Sequence, residues 1–365
     1  MTRPLRVLSV VGTRPNFMKV APVARSLAGR DGIEHLLVHT GQHYDAAMSR
    51  VFFDELGMAQ PDVYLGIGSG SHTAQTARVL DGLEPVLRER APDVVLVPGD
   101  VNSTLAAALA ANQLGITVGH IEAGLRSFDR TMPEEVNRVL TDQISDLLFT
   151  HSPEARDHLI AERRPADAIH PVGNTMIDTL VALREAISAR DAPAAFGVEP
   201  GRYVLVTLHR PALVDGPLLE SALDALSVLS ASYELVFPVH PRTRARIDAL
   251  GHGPRAPGLR LLEPLGYLDF LGLATHAAGV LTDSGGVQEE TTFLGVPCFT
   301  LRENTERPVT LTEGTNTLLG LDPARISEIP ELIAGRVALL ARAPEGWDGH
   351  AADRIVDVLE GFHSG

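Results

Sequence analysis

Short runs of apolar, mostly β-branched residues recur along the chain, each separated from the next by a longer Ala- and Leu-rich stretch. This alternation constrains the fold more than any other feature. Leu5–Val11, His35–Thr40, Val94–Pro98, Thr117–Ile121 and Leu147–Thr150 read as strands, with Pro15–Gly29, Ser103–Leu114 and Glu134–Ser145 as helices. Near-continuous apolar strands interleaved with helices predict a parallel sheet covered on both faces. The loops that follow such strands gather on one edge, where ligands bind in open α/β sheets.

The pattern then restarts. Ala189–Gly201 holds Pro193, Pro200 and two glycines without clean periodicity, and reads as a linker. Strands are expected after it at Tyr203–Thr207, Glu234–Val239, Arg260–Leu262, Gly279–Thr282 and Cys298–Leu301, and Gly251–Gly258 reads as a surface loop. The expectation is an α/β chain of two doubly wound, parallel-sheet domains, residues 1–188 and 189–365. The final helix, Gly349–Phe362, carries Ile355, Val356, Val358, Leu359 and Phe362 on a face that must pack. Whether it crosses back to the first domain is open from sequence.

A length of 365 residues suits two domains. With 31 Lys+Arg against 46 Asp+Glu, the net charge is −15, which argues against nucleic acid as a partner but not against a small phosphorylated ligand. A single cysteine, Cys298, excludes an internal disulfide framework and a Cys-based zinc site, and no metal-ligand spacing is visible. No apolar stretch approaches the roughly 18–20 residues that cross a bilayer. The N-terminal residues read as the approach to a first strand rather than a leader. A cytoplasmic protein is expected.

Seven segments carry the candidate chemistry. Gly12-Thr13-Arg14-Pro15-Asn16-Phe17-Met18-Lys19 turns from strand to helix. Orphan N–H groups and the dipole there favour an anion, and Arg14 and Lys19 add charge. Otherwise it is a plain turn with solvated cations. Gly99-Asp100-Val101-Asn102-Ser103-Thr104 delivers Asp100 to the ligand edge, with Asn102 and Ser103 available to cap the next helix. His120-Ile121-Glu122-Ala123-Gly124-Leu125-Arg126 and Pro133-Glu134-Glu135-Val136-Asn137-Arg138 bring three carboxylates and two arginines near one strand edge. Such groups suit proton transfer at carbon. Glu135 reads instead as a helix N-terminal residue, and Glu122 could merely pair with Arg126 or Arg138. His209 and His240 end two strands of the second half and read as functional or simply hydrogen-bonded. Asp283-Ser284-Gly285-Gly286-Val287-Gln288-Glu289-Glu290 is a second glycine turn able to aim N–H groups at phosphate, and Glu290 can accept from a ribose diol. Paired with the Arg14/Lys19 turn, it suggests one nucleotide diphosphate across a cleft. No P-loop, no G-x-G-x-x-G after the first strand and no G-x-S-x-G elbow is present.

These residues resemble the non-hydrolysing UDP-N-acetylglucosamine 2-epimerase family. The likeness runs through G-T-R-P-x-x-x-K (Gly12–Lys19), T-G-Q-H (Thr40–His43), G-D-x-N-S-T (Gly99–Thr104), H-I-E-A-G-L-R (His120–Arg126), P-E-E-x-N-R (Pro133–Arg138), G-N-T-x-I-D (Gly173–Asp178), H-R-P (His209–Pro211), D-S-G-G-x-Q-E-E (Asp283–Glu290) and T-E-R-P (Thr305–Pro308). The resemblance implies a GT-B architecture, a UDP-sugar substrate, no metal or nicotinamide cofactor, and a homodimer. It implies that Asp100, Glu122 and Glu134 are acid/base carboxylates and that His209 lies near the diphosphate. On the same basis Arg14, Lys19, Arg138, Ser284, Gly285, Gly286, His240 and Arg307 are substrate-side residues, Glu290 meets the ribose and Phe270 the uracil. The implied reaction is reversible C2 epimerisation, UDP-GlcNAc to UDP-ManNAc, by loss of UDP to a glycal and its re-addition. Two features depart from many members. Pro211-Ala212-Leu213 replaces an x-E-N sequence, and Gln42-His43-Tyr44-Asp45 replaces Q-H-R-[QE], a motif linked to activation by a second UDP-GlcNAc. Tyr44-Asp45, Phe52-Phe53-Asp54-Glu55-Leu56-Gly57 and Arg130-Thr131-Met132-Pro133 look closer to relatives acting on UDP-2,3-diacetamido sugars. A GT-B glycosyltransferase, a non-catalytic nucleotide-sugar sensor and a hydrolysing epimerase are the competing readings.

Overall fold

The structure is a computed structural model that describes residues 3–42, 53, 55–251, 256–335 and 343–364. His43, Tyr44, Asp45, Phe52 and Asp54, and residues 252–255 of the expected loop, lie outside the described residues. The chain forms two compact units, one of Met1–Ala182 with Glu345–Gly365, the other of Leu183–Pro344.

The first unit is built on a seven-stranded, all-parallel sheet of β1 (Leu5–Val11), β2 (Ile33–His39), β3 (Val63–Tyr64), β4 (Val94–Pro98), β5 (Thr117–Ile121), β6 (Leu147–Thr150) and β7 (Ile169–Pro171), in the order β3-β2-β1-β4-β5-β6-β7. The second holds six parallel strands, β8 (Tyr203–Thr207), β9 (Glu234–Pro238), β10 (Leu259–Leu262), β11 (Gly279–Thr282), β12 (Cys298–Thr300) and β13 (Asn316–Leu318), in the order β10-β9-β8-β11-β12-β13. Every β-branched run read as a strand is one, within a residue or two at its ends. The short edge strands β3, β7 and β13 were not legible, because two or three residues hold no pattern. In each sheet the connections leave in opposite directions on either side of β1 or β8. The loops after β1 and β4, and after β8 and β11, therefore stand over a topological switch point, where ligands of such sheets bind.

Both sheets are buried on both faces. Leu8, Val10, Val95 and Val97 pack toward the helices His72–Arg90 and Asn102–Gln113. Leu5, Val7, Leu96 and Phe149 share a core with the last helix, Ala351–Ser364, whose Ile355, Val356 and Leu359 are fully buried there. That helix belongs to the first unit. Phe362, expected on its packed face, is instead half exposed at the final turn.

The expected linker is not one. Ala189–Gly201 contains a short helix, Ala192–Phe196, and Ala192 and Val198 are buried with Tyr203 and Leu273 in the core of the second unit. The Pro and Gly signals are helix punctuation: Pro193 occupies the first turn, and Gly197 ends the helix at φ 64°. Among the described residues no helix is long and apolar enough to cross a membrane.

Candidate functional site

In the first unit the loops after β1, β2, β4 and β5 are sewn together by side chains. The helix Arg14–Ala28 opens with a capping box in which Asn16 Oδ1 accepts from the N–H groups of Gly12 and Thr13, both at 3.1 Å. Asn16 Nδ2 reaches across to the Pro98 carbonyl at 3.1 Å. A side chain at position 12 would meet Ser103 Oγ at 2.5 Å, so the β1 and β4 loops touch only because Gly12 has none. Asn102 and Ser103, expected as caps, do other work. The residue preceding that helix is Val101, with no side-chain cap; Ser103 bonds Gln42 and Thr40, while Asn102 bonds Gln75 and Asn137. Arg14 is exposed at the first position of its helix.

Asp100 is thereby left for a different partner, Arg138, at 2.5 Å. Arg138 also holds Glu135 at 2.5 Å, and Glu135 accepts from Ser127 N and Phe128 N at 2.9 and 3.0 Å. Burial works against the charge of Glu135, but the Ser127 bonds and Arg138 outweigh it and hold the carboxyl below its usual range. Glu135 lies in the first turn of Pro133–Ile144, as expected of it, and there clamps the Ser127–Phe128 loop, which was not expected. Glu134, one helical turn before Arg138, is half buried at the start of Pro133–Ile144. For Glu122 the cation is Lys19, where Arg126 or Arg138 was expected. The two form a buried ion pair, both side chains under a tenth exposed. Gly99, at φ 66°, makes room for this: a Cβ there would lie 2.8 Å from Lys19 Nζ and 3.5 Å from Glu122 Oε2. Glu122 itself sits at φ 71°, a conformation that costs a non-glycine residue about 1–3 kcal/mol and recurs at functional sites. Arg126 is held elsewhere, by Asp142 at 2.7 Å and Glu162 at 2.7 Å.

Three further residues were not singled out. His151, Asn174 and Thr175 line a small concavity with Lys19 and Glu122. The G-N-T-x-I-D motif was the available signal, but its residues carry no charge pattern. Asn174 Oδ1 caps Met176 N at 2.9 Å, placing Thr175 at the first turn of the helix Thr175–Ala182.

In the second unit, Asp283 at the end of β11 is fully buried and accepts from the N–H groups of His209 and Arg210, both at 2.7 Å, while its other oxygen lies 3.1 Å from His209 Nδ1. One carboxylate thus fixes the β8 loop and stands beside the His209 ring. The His240 ring lies 6.0 Å from that of His209, and its Nδ1 caps Arg242 N at 3.2 Å. Ser284 precedes the helix Gly285–Leu294, whose first N–H groups at Gly285 and Gly286 have no partner within the helix. Arg307 packs over Gly285, where a Cβ would lie 2.4 Å from Nη1, and is held by Glu306 and by Glu289 at 2.9 Å. Glu290, in the second turn, is buried and accepts from Tyr267 Oη at 2.9 Å. Burial pushes its carboxyl up to about 8, against the Tyr267 bond. Phe270 is partly buried at the margin of the core that holds Leu273 and Val287.

The comparisons with known proteins match this architecture. The family model "UDP-N-acetylglucosamine 2-epimerase" matches residues 25–360. A Methanococcus maripaludis protein described as UDP-N-acetylglucosamine 2-epimerase is 42% identical, over 96% of this chain and 97% of its own length. A Pseudomonas aeruginosa protein described as UDP-2,3-diacetamido-2,3-dideoxy-D-glucuronate 2-epimerase is 40% identical, over 97% of this chain and 99% of its own. The crystal structure of Methanocaldococcus jannaschii UDP-GlcNAc 2-epimerase with UDP-GlcNAc and UDP superposes with a TM-score of 0.88 at 39% identity, covering 98% of this chain and 100% of that one. With full-length matches of this kind behind a GT-B-like pair of parallel α/β units, the chain belongs to the UDP-N-acetylglucosamine 2-epimerase family.

Proposed function

We propose that the protein interconverts the C2 epimers of a UDP-N-acetylhexosamine, UDP-GlcNAc and UDP-ManNAc. The observation that carries the reading is the set of carboxylates at the first switch point. Asp100 and Glu122 each face a cation, and Glu134 lies a turn away from Arg138. A carboxylate removes the C2 proton while the C1–O bond breaks and its electron pair leaves with UDP, forming the C1–C2 double bond of a glycal. A second carboxyl returns a proton to the opposite face of C2, and a UDP oxygen re-forms the bond to C1. Lys19 and Arg138 couple charge to this step. A cation drawn toward the leaving diphosphate leaves its carboxylate the stronger base. The N–H groups of Gly285 and Gly286, with Ser284, Arg14, His209 and Arg307, stabilise charge on the diphosphate, and Glu290 accepts from the ribose.

A second reading has its own support in the Pseudomonas relative: the same chemistry on a UDP-2,3-diacetamido sugar. Incubation in deuterated water with both substrate classes, followed by NMR at C2, separates them. Deuterium entry with the epimer as product is expected for one class, and entry for neither rejects both. Asp100→Asn, Glu122→Gln and Glu134→Gln are each expected to lower kcat by about 10²-fold or more, as loss of general acid–base groups does. Unchanged rates would return these residues to structural roles. A homodimer, implied by resemblance alone, is checked by light scattering.

A further inference from the structure

Beneath the Gly99–Asp100 loop lies a buried histidine that the reaction scheme does not use. His120, on β5, is fully buried, and both of its ring nitrogens face acceptors. Nδ1 lies 2.6 Å from Asp142 Oδ1, and Nε2 lies 2.7 Å from the carbonyl oxygen of Gly99. A carbonyl oxygen cannot donate, so Nε2 carries a hydrogen. The other oxygen of Asp142 accepts from Gly124 N at 3.1 Å and lies 2.7 Å from Arg126. Burial pushes the Asp142 carboxyl up, but His120 and Arg126 outweigh it and hold it below its usual range.

The geometry points to His120 as a positioning residue whose Nε2–H fixes the Gly99 carbonyl and so aims Asp100. It rests on reading Asp100 and Glu122 as the acid/base groups. Gly99 stands at φ 66° with Lys19 and Glu122 packed against it, so its peptide plane sets the direction in which Asp100 leaves β4. Through Asp142 the same ring is tied to Gly124 N, two residues beyond Glu122, which has a positive φ of its own. Arg126 closes the far side of Asp142 and is itself paired with Glu162. The charged groups around the ring are Asp142 and Arg126 on one side and the Lys19–Glu122 pair beyond Gly99 on the other. A buried polar ring is tolerated when both of its nitrogens have partners, as these do.

The test has a spectroscopic and a kinetic arm. In the unmodified protein labelled with 15N-histidine, with His120 assigned by its loss in a variant, Nε2 is expected to show the signature of a nitrogen that carries a hydrogen. An Nε2 without a hydrogen overturns the proposal. In the kinetic arm, His120→Asn, whose amide stops short of Gly99, is expected to lower kcat about 100-fold with KM changed less than about threefold, the scale of a small misplacement of a reacting group. His120→Gln, whose amide nitrogen reaches the position of Nε2, is expected to recover at least about tenfold of that loss. Unchanged kcat in His120→Asn, or a matched rise in KM, overturns the positioning role, as does a Gln variant no better than Asn. An unmodified protein that turns over no UDP-sugar rejects the functional reading instead, and the Nε2 signature still decides the bond to Gly99.

Discussion

At the scale of single residues, environment decides what a carboxyl group does. Asp100, Glu122, Glu135 and Glu290 are alike in sequence terms, yet one meets Arg138, one Lys19, one a pair of backbone N–H groups and one a tyrosine hydroxyl. Glu290 has a measurable consequence. Its folded-state value, about 8, lies above its ordinary 4.5, so the folded protein holds that proton more tightly than the unfolded chain. The resulting stability is complete below the ordinary value and is lost as pH rises through the folded one. Urea denaturation of the unmodified protein is expected to show a fall in stability across that window, and Glu290→Gln a flatter profile. Equal slopes would mean that Glu290 titrates normally. A ribose diol donating to Glu290 favours the ionised form, so UDP binding near neutral pH is expected to release a proton. Calorimetry in buffers of different ionisation enthalpy reads that release, and Glu290→Gln removes it. The sequence marked these residues as acidic, with Asp100 and Glu122 at strand ends and Glu135 and Glu290 in the opening turns of helices. It did not show which cation each would meet, because the Lys19–Glu122 pair joins positions 103 residues apart.

At the scale of elements, one buried carboxylate joins two distant helices. Asp178, on the helix Thr175–Ala182, accepts from Ala351 N at 3.2 Å and Ala352 N at 2.7 Å, capping the last helix from outside it. Gly173 brings the chain close enough, since a Cβ there would lie 1.9 Å from the Gly346 carbonyl oxygen. Trp347 Nε1 adds a bond to the His151 carbonyl at 2.8 Å. Asp178→Ala is expected to cost about 1–2 kcal/mol, the upper range for loss of a helix cap, read as a lower denaturation midpoint. A loss below about 0.5 kcal/mol would show that hydrophobic packing alone docks the helix. The G-N-T-x-I-D motif was visible in the sequence, but this docking role was not. A cap supplied by another helix leaves no local spacing to read.

At the scale of the whole molecule, the chain leaves its first unit after residue 182 and re-enters it at residue 345. Ile355, Val356 and Leu359 are then fully buried against β1 and the helix Arg14–Ala28. At about 1.5–3 kcal/mol for each buried side chain, those three supply roughly 5–9 kcal/mol, comparable with the net stability of a domain. A chain ending at residue 344 is therefore expected to lose the native fold of the first unit, seen as loss of amide protection over residues 5–182. The second unit, which takes no strand from the returning segment, is expected to keep its protection. Retained protection in the first unit would show the last helix to be dispensable. The sequence by itself determined the two parallel sheets, because burial on both faces demands apolar strands and helices of a length that spacing reveals. It also determined which loops bear glycines and charges, since a strand-to-helix turn needs particular backbone freedom. Only the tertiary structure decided which unit owns the last helix, which cation faces each carboxylate, and that His120 lies between two acceptors. Those are contacts between residues far apart in sequence, set by packing geometry that no local pattern encodes.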